Sequence, residues 1–177
     1  MNIATQNLDT TLEHWASIDG YLNYQVSWWG RVLNTKTGRI LKPQADGRGY
    51  ALVYLSKNGK VKNHKIHQLV ASEWVSNPGE KRCIDHIDGS RTNNHWENLR
   101  YATHSENGMN AKKRPGCSSV YKGVSIHAKS GKWQASIFRN GKNTGLGLFE
   151  NEREAAAAYN TSAVEHDAEF AKVNDLD

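Results

Sequence analysis

Cysteine is scarce in this chain. Only Cys83 and Cys117 occur in 177 residues, far apart and with no C-x-x-C pair. That argues against a zinc finger or another thiolate-braced zinc site, each of which needs paired sulfur ligands. It also excludes a secreted disulfide scaffold. Long apolar runs are missing too, and none approaches the length of a membrane span. Residues 1–11 are polar and contain no apolar h-region, so they read as a lead-in without regular structure rather than as a secretory signal. The expected setting is reducing, intracellular and cytoplasmic.

Acidic residues are missing from one long internal stretch. Between Asn107 and Phe149 there is no Asp or Glu, but there are eight basic residues: Lys112, Lys113, Arg114, Lys122, Lys129, Lys132, Arg139 and Lys142. The whole chain carries a formal charge of +5 with a pI near 9.2, and the balance turns acidic only from Glu150 onward. Such a block suits a polyanion. Taken alone it is also what a solvated face looks like. Tyr121, Trp133 and Phe138 interleaved with the positive charge shift the reading toward nucleic acid. RNP-like aromatic motifs are absent, which counts against an RNA-binding protein.

What is present falls into three small modules. Tyr24–Leu33 has the aromatic and branched composition of a strand. The turn residues 34–38 and a returning strand over 39–43 follow. A second pair is expected at Tyr50–Leu55 and Val61–His64, hinged at Lys57-Asn58-Gly59-Lys60, all in one small antiparallel sheet. Lys65–Val75 places Ile66, Leu69, Val70 and Trp74 at helical spacing, and 77–79 (Asn-Pro-Gly) ends that helix. His67 beside this stripe reads as a structural histidine. Residues 82–88 then read as a strand, 89–96 as a loop and 99–102 as a second strand. Thr103 with Glu106 three residues later forms a capping box that starts a helix over 104–111.

The chemistry-bearing residues sit in that last segment. Cys83-Ile84-Asp85-His86-Ile87-Asp88-Gly89 is followed by Asn93-Asn94, Glu97-Asn98-Leu99 and Ser105-Glu106-Asn107. Asp85 offers a hard oxygen for a divalent ion. His86 is a base whose neutral form is available at physiological pH. Asn98 and Asn107 can either hold loop geometry or ligate metal through amide oxygen. Carboxylate and amide oxygens without thiolate suit one magnesium or manganese ion. An Asp-His pair alone is most simply a turn with a solvated charge. The downstream asparagines turn the reading toward phosphodiester hydrolysis. Asn93 and Asn94 read as loop-shaping or phosphate-contacting.

These motifs resemble the HNH nuclease family in its form ending on Asn rather than His. The resemblance implies His86 as general base, Asp85 and Asn107 as metal ligands, and Asn98 as the brace of the loop carrying His86. Upstream, W-x-x-I-x-G-Y, Y-x-V-S, G-R-V and the L-K-P run resemble the nuclease-associated modular domain that grips DNA beside HNH sites. Downstream, Y-K-G-V, G-K-W-x-A, L-G-x-F and E-A-A-A-A-Y resemble the APETALA2/ethylene-response-factor DNA-binding domain. That family lays a three-stranded sheet in the major groove and backs it with one helix.

The expected protein is therefore α+β. It has a small N-terminal antiparallel β module over 12–64, a central ββα-metal HNH nuclease over 65–112, and a C-terminal three-stranded antiparallel sheet plus one helix over 119–174. Residues 110–119 read as a linker and domain boundary. In the C-terminal strand, period-two alternation sends Trp133, Ala135 and Ile137 to the helix and Gln134, Ser136 and Phe138 to DNA. Further DNA contacts are expected from Arg31, Lys42, Asn93, Asn94, Lys112, Lys113, Arg114, Lys122, Ser125, His127, Lys129, Lys132, Arg139 and Asn143, with Gln134 the base reader. The activity expected is homing-type, site-specific cleavage of double-stranded DNA, with a phage or intron origin. A monomer would nick one strand, and a dimer would be needed to cut both. Deleting 119–177 is expected to weaken target affinity yet spare non-specific nicking. The rival reading is a sequence-specific DNA-binding regulator with an inactive nuclease core, against which the presence of Asp85, His86, Asn98 and Asn107 argues.

Overall fold

The computed structural model describes residues 12–113 and 116–177. The lead-in expected at 1–11 and the candidate contact Arg114 lie outside the described residues. The fold is α+β, built from several small antiparallel sheets and few helices. It divides into two compact units. One comprises residues through Pro78 together with Ser90–Tyr101, and the other Gly79–Gly89 together with the chain from Ala102 onward.

In the first unit, β1 (Trp15–Ser17), β2 (Tyr24–Ser27), β3 (Val32–Asn34) and β4 (Arg39–Ile40) form an antiparallel meander in chain order. The strand expected across 24–33 is broken in two. At Trp28–Arg31 the chain turns, with Gly30 at φ +80°, and a Cβ on Gly30 would lie 2.8 Å from that of Asn94. Only glycine meets both demands. The next hairpin belongs to a second sheet, not to the first. It contains β5 (Gln44–Ala45), β6 (Ala51–Lys57) and β7 (Lys60–Lys65). Its turn, Asn58-Gly59, has both residues at positive φ, 51° and 73°, the twist a two-residue hairpin favours. The sheets are tied by the Tyr24 hydroxyl, which accepts from the Ser56 N–H at 3.2 Å.

The helix α1 (Ile66–Trp74) buries Ile66, Leu69 and Val70 beside β6, as its periodicity predicts. Each such side chain contributes roughly 1.5–3 kcal/mol of transfer free energy. His67 is buried with them, against the Tyr50 ring. At the centre of the unit lies Trp28, 2% exposed. Its ring meets those of His14, Trp74 and Trp96, and its carbonyl accepts from the Trp96 N–H at 2.8 Å. The segment 90–98 is thereby anchored on the N-terminal sheet. It ends in a 3-10 turn, Trp96–Asn98, and runs into β9 (Leu99–Ala102).

The second unit contains β8 (Cys83–His86), α2 (His104–Asn110), and the sheet β10 (Val124–Ile126), β11 (Trp133–Arg139), β12 (Lys142–Phe149), followed by α3 (Glu152–Asp167) and a 3-10 turn, Ala168–Phe170. The β10–β11–β12 order is antiparallel. Ala135 and Ile137 pack on Ala155, Ala156, Tyr159 and Ala163 of α3, with Trp133 half-buried at one end. Small alanines let the helix approach the sheet closely. Asn151 starts α3 by accepting from the Glu154 N–H at 2.8 Å. The turn Asn140-Gly141 again carries two positive φ values, 49° and 78°. The compact division does not fall in residues 110–119, because β8 and α2 group with the C-terminal sheet. Strand, 3-10 turn, strand and helix follow one another from 83 to 110 in the expected order.

Candidate active site

Thr103 caps α2 by accepting from the Glu106 N–H, and the Glu106 carboxylate accepts from the Thr103 N–H at 2.7 Å. Glu106 is also paired with Lys81 at 2.9 Å. These donors hold its carboxyl below the usual range despite the opposing effect of burial. The cap fixes the start of α2, and α2 packs on β8. The helix therefore presents its buried side to the strand that ends in Asp85 and His86.

Asp85 and His86 are both buried, each 5% exposed. The side-chain amide of Asn110, on the last turn of α2, donates to both Asp85 carboxylate oxygens at 3.1 and 3.0 Å and to the His86 carbonyl at 2.9 Å. The His86 carbonyl also accepts from the Gly89 N–H at 2.8 Å, closing a turn in which Gly89 takes φ +71°. Strand end, turn and helix are thus joined by one asparagine that sequence reading does not single out. Its spacing is the missed signal: Asn107 and Asn110 stand three apart, on one face of a helix. Asn107 is half-buried on α2. Asn98 belongs to the other unit, where its amide donates to the Asn93 carbonyl at 2.8 Å and closes the 93–98 loop. Asn94 is buried, bonds the Thr92 carbonyl at 3.1 Å and packs on Gly30.

Among the described residues, no three His, Cys, Asp or Glu side chains are gathered as a metal cluster. A cation here would rest on one carboxylate with amide, water and phosphate oxygens. The buried carboxylate of Asp85, oriented by the neutral amide of Asn110, fits a hard divalent ion of that kind. Cys83, two residues upstream, has its sulfur 3.3 Å from His104 Nδ1.

The candidate DNA contacts divide into free and engaged groups. Lys42, Ser125, Lys129, Phe138 and Asn143 are exposed, and Gln134 and Ser136 are half-buried. His127 is half-buried and engaged, its Nδ1 2.9 Å from Ser130 Oγ. Arg31 is exposed, paired with Glu13, and stacked by the Trp15 and Trp29 rings. Lys132 pairs with Glu150 at 2.5 Å. Lys112 is exposed and lays its alkyl chain on Gly89, and Lys113 donates to the Val124 carbonyl at 3.0 Å. Arg139 turns inward, where it pairs with Asp167 and donates to the Ser162 carbonyl at 2.6 Å. Lys122 donates to the Gly108 and Met109 carbonyls of α2. Burial pushes its ammonium down to about 8, opposed by Asp167 and reinforced by Lys172.

Residues 74–109 match the HNH endonuclease family model, and residues 13–56 match the NUMOD4 motif. The chain is 40% identical to DNA endonuclease I-HmuI of Bacillus phage SP01, over 56% of this chain and 58% of that protein. A solved structure, "DNA binding and cleavage by the HNH homing endonuclease I-HmuI", aligns with a TM-score of 0.52 at 40% identity, covering 55% of this chain and 56% of that one. An HNH endonuclease of Acanthamoeba polyphaga mimivirus is 40% identical over 62% of this chain and 28% of its own length. The chain thus spans less than two thirds of each of these relatives. Fifty-eight residues are 43% identical to an AP2/ERF and B3 domain-containing transcription factor of Arabidopsis thaliana, covering 33% of this chain and 17% of that protein. No helix among the described residues is long and apolar enough to cross a membrane.

Proposed function

We propose that this chain, which carries a NUMOD4 motif followed by an HNH endonuclease domain, is a homing-type DNA endonuclease that hydrolyses phosphodiester bonds in double-stranded DNA with one magnesium or manganese ion. The observation that carries the reading is the buried Asp85–His86 strand end held against α2 by Asn110. His86 takes a proton from water, and the water oxygen bonds to phosphorus. The phosphorus–oxygen bond to the leaving strand breaks, and the leaving oxygen gains a proton from solvent. Asp85 and Asn107 would hold the ion, whose chemistry is to offset phosphate and leaving-group charge. Asn98 braces the 93–98 loop.

The modules over 12–64 and 119–174 supply the grip on DNA. On the C-terminal sheet, Gln134, Ser136 and Phe138 share the strand face opposite Ala135 and Ile137, with Asn143 opposite Phe138 on β12. Ser136, Phe138 and Asn143 also border the cavity beside α2, and Lys129 extends the surface from the β10–β11 loop. Gln134 is the base reader. One site per chain makes a nick the product of a monomer. Incubation of supercoiled plasmid with magnesium or manganese tests the reading: wild type converts it to open circles and His86→Ala does not. DNA binding without cleavage by either protein would instead identify a regulator with an inactive nuclease core.

A further inference from the structure

The C-terminal sheet module is seated on the same helix that carries Asn107 and Asn110, and two polar ties make the seam. The Lys122 ammonium, at the entry to β10, donates to the carbonyls of Gly108 and Met109 in the last turn of α2. At the other end of the helix, Ser105 Oγ accepts from the Asn140 N–H of the β11–β12 turn at 3.1 Å. The Gly108 carbonyl also accepts from the Ala111 N–H at 3.2 Å, and a cationic donor on these last carbonyls opposes the negative end of the helix dipole.

Lys122 is placed for this on a rigid support. Its N–H donates to Asn174 Oδ1 at 2.6 Å, and its carbonyl accepts from Asn174 Nδ2 at 3.0 Å. Asn174 in turn exchanges two hydrogen bonds with Asn160 of α3, at 2.7 and 2.9 Å. The next residue, Gly123, has no room for a side chain, since a Cβ would lie 2.0 Å from the Tyr159 ring. Between the ties the seam is not filled by apolar packing. A cavity of about 290 Å³ lies there, lined by Ser105, Met109, Lys122, Phe138 and Tyr159 among others. α2 also packs on β8 and on the 3-10 turn Ala168–Phe170, and at this partly open seam the two ties add fixed points at either end of the helix.

We propose that Lys122 is a positioning residue of the nuclease. It anchors the C-terminal turn of α2 to the C-terminal module, so that this module sets the geometry of Asn107 and Asn110 rather than serving only as a tethered DNA grip. The proposal rests on the endonuclease reading for its effect on cleavage, but not for its effect on the helix. It also changes the expectation for removal of 119–177: cleavage chemistry, and not target affinity alone, depends on that segment.

The test compares the full-length protein with its Lys122→Met and Lys122→Arg variants, and Ser105→Ala serves as a second, milder break of the seam. Hydrogen exchange of the free protein, without DNA or metal, reads α2 directly. Amides of Asn107 through Ala111 are expected to exchange about tenfold faster in Lys122→Met, with Lys122→Arg close to wild type. Amides of β6 and β7, in the other unit, should not change. In nicking assays at saturating DNA, Lys122→Met should lower kcat about tenfold. The slope of DNA affinity against salt should stay as in wild type. Unchanged exchange in α2 overturns the proposal, whether or not the protein cuts DNA. So does a salt slope reduced by about one with kcat intact, the signature of a lysine gripping phosphate. If wild type fails to nick, the endonuclease reading falls, and the exchange comparison still decides what Lys122 does.

Discussion

Asn110 holds both oxygens of Asp85 from the far end of α2, with donor distances of 3.1 and 3.0 Å, and it reaches the carbonyls of His86 and Ile87 with the same nitrogen. One neutral amide therefore fixes the orientation of the carboxylate and the path of the chain just after the proposed base. A charged donor in its place would neutralise Asp85 and compete with a divalent ion. A neutral one orients the carboxylate and leaves its charge available to a divalent ion.

Replacing Asn110 should weaken the metal before it weakens the fold. Outer-shell partners of metal ligands typically contribute 10–100-fold to affinity or activity. Asn110→Ala is expected to fall in that range for manganese binding, read by titration of the free protein, and for plasmid nicking. Asn110→Asp should be worse, because two buried carboxylates would then face each other. Manganese affinity unchanged in Asn110→Ala would mean that Asp85 is not oriented for a cation by this contact.

Much of this arrangement is legible in the sequence because it is local. The capping box of Thr103 and Glu106 states where α2 begins, and Asn58-Gly59 and Asn140-Gly141 state where two hairpins turn. The Asp85-His86 pair in the motif points to the strand end that Asn110 holds. What escapes is whatever depends on packing between distant segments. The strand expected at 24–33 turns at Gly30, and Asn94, sixty-four residues on, packs where a side chain at that position would lie. Asn110 matters only because α2 lies on β8. Arg139 lies between these cases. It alternates with Ala135 and Ile137, so strand parity places it on the helix side. Its charge alone suggests DNA.

The half-buried Lys122 gives a pH signature of stability. Burial holds the Lys122 ammonium down to about 8, against an ordinary value of 10.5 in the unfolded chain. Between those values the unfolded state binds the proton and the folded state does not, so stability rises with pH across that interval. Below about 8 both states are protonated and the cost of burying the charge is present in full. Relative to Lys122→Met, wild type should gain in urea midpoint from pH 7.5 to pH 9.5. Tyr159, pushed up to about 12 by its burial, acts in the opposite sense only above its unfolded value near 10, so the comparison stops below that. A difference between the two proteins that is flat or shrinks over this range would show that Lys122 is not buried as described.

Arg139 separates a structural cation from a DNA-gripping one on the same sheet. Its guanidinium is paired with Asp167, whose side chain is 1% exposed, and it also donates to the Ser162 carbonyl. Truncating it strands a buried carboxylate, a change that typically costs about 3–5 kcal/mol. Lys129 is exposed on the loop that joins β10 to β11. Lys129→Ala should leave the urea midpoint nearly unchanged and lower the salt slope of DNA binding by about one if it contacts phosphate. Arg139→Ala should do the reverse: a large loss of midpoint, with any loss of affinity tracking the unfolded fraction. The pair is informative because both residues count equally in the basic block. If Arg139→Ala folds as well as wild type and binds DNA with a reduced salt slope, the inward ion pair is dispensable. The guanidinium would then belong with the groove-facing residues.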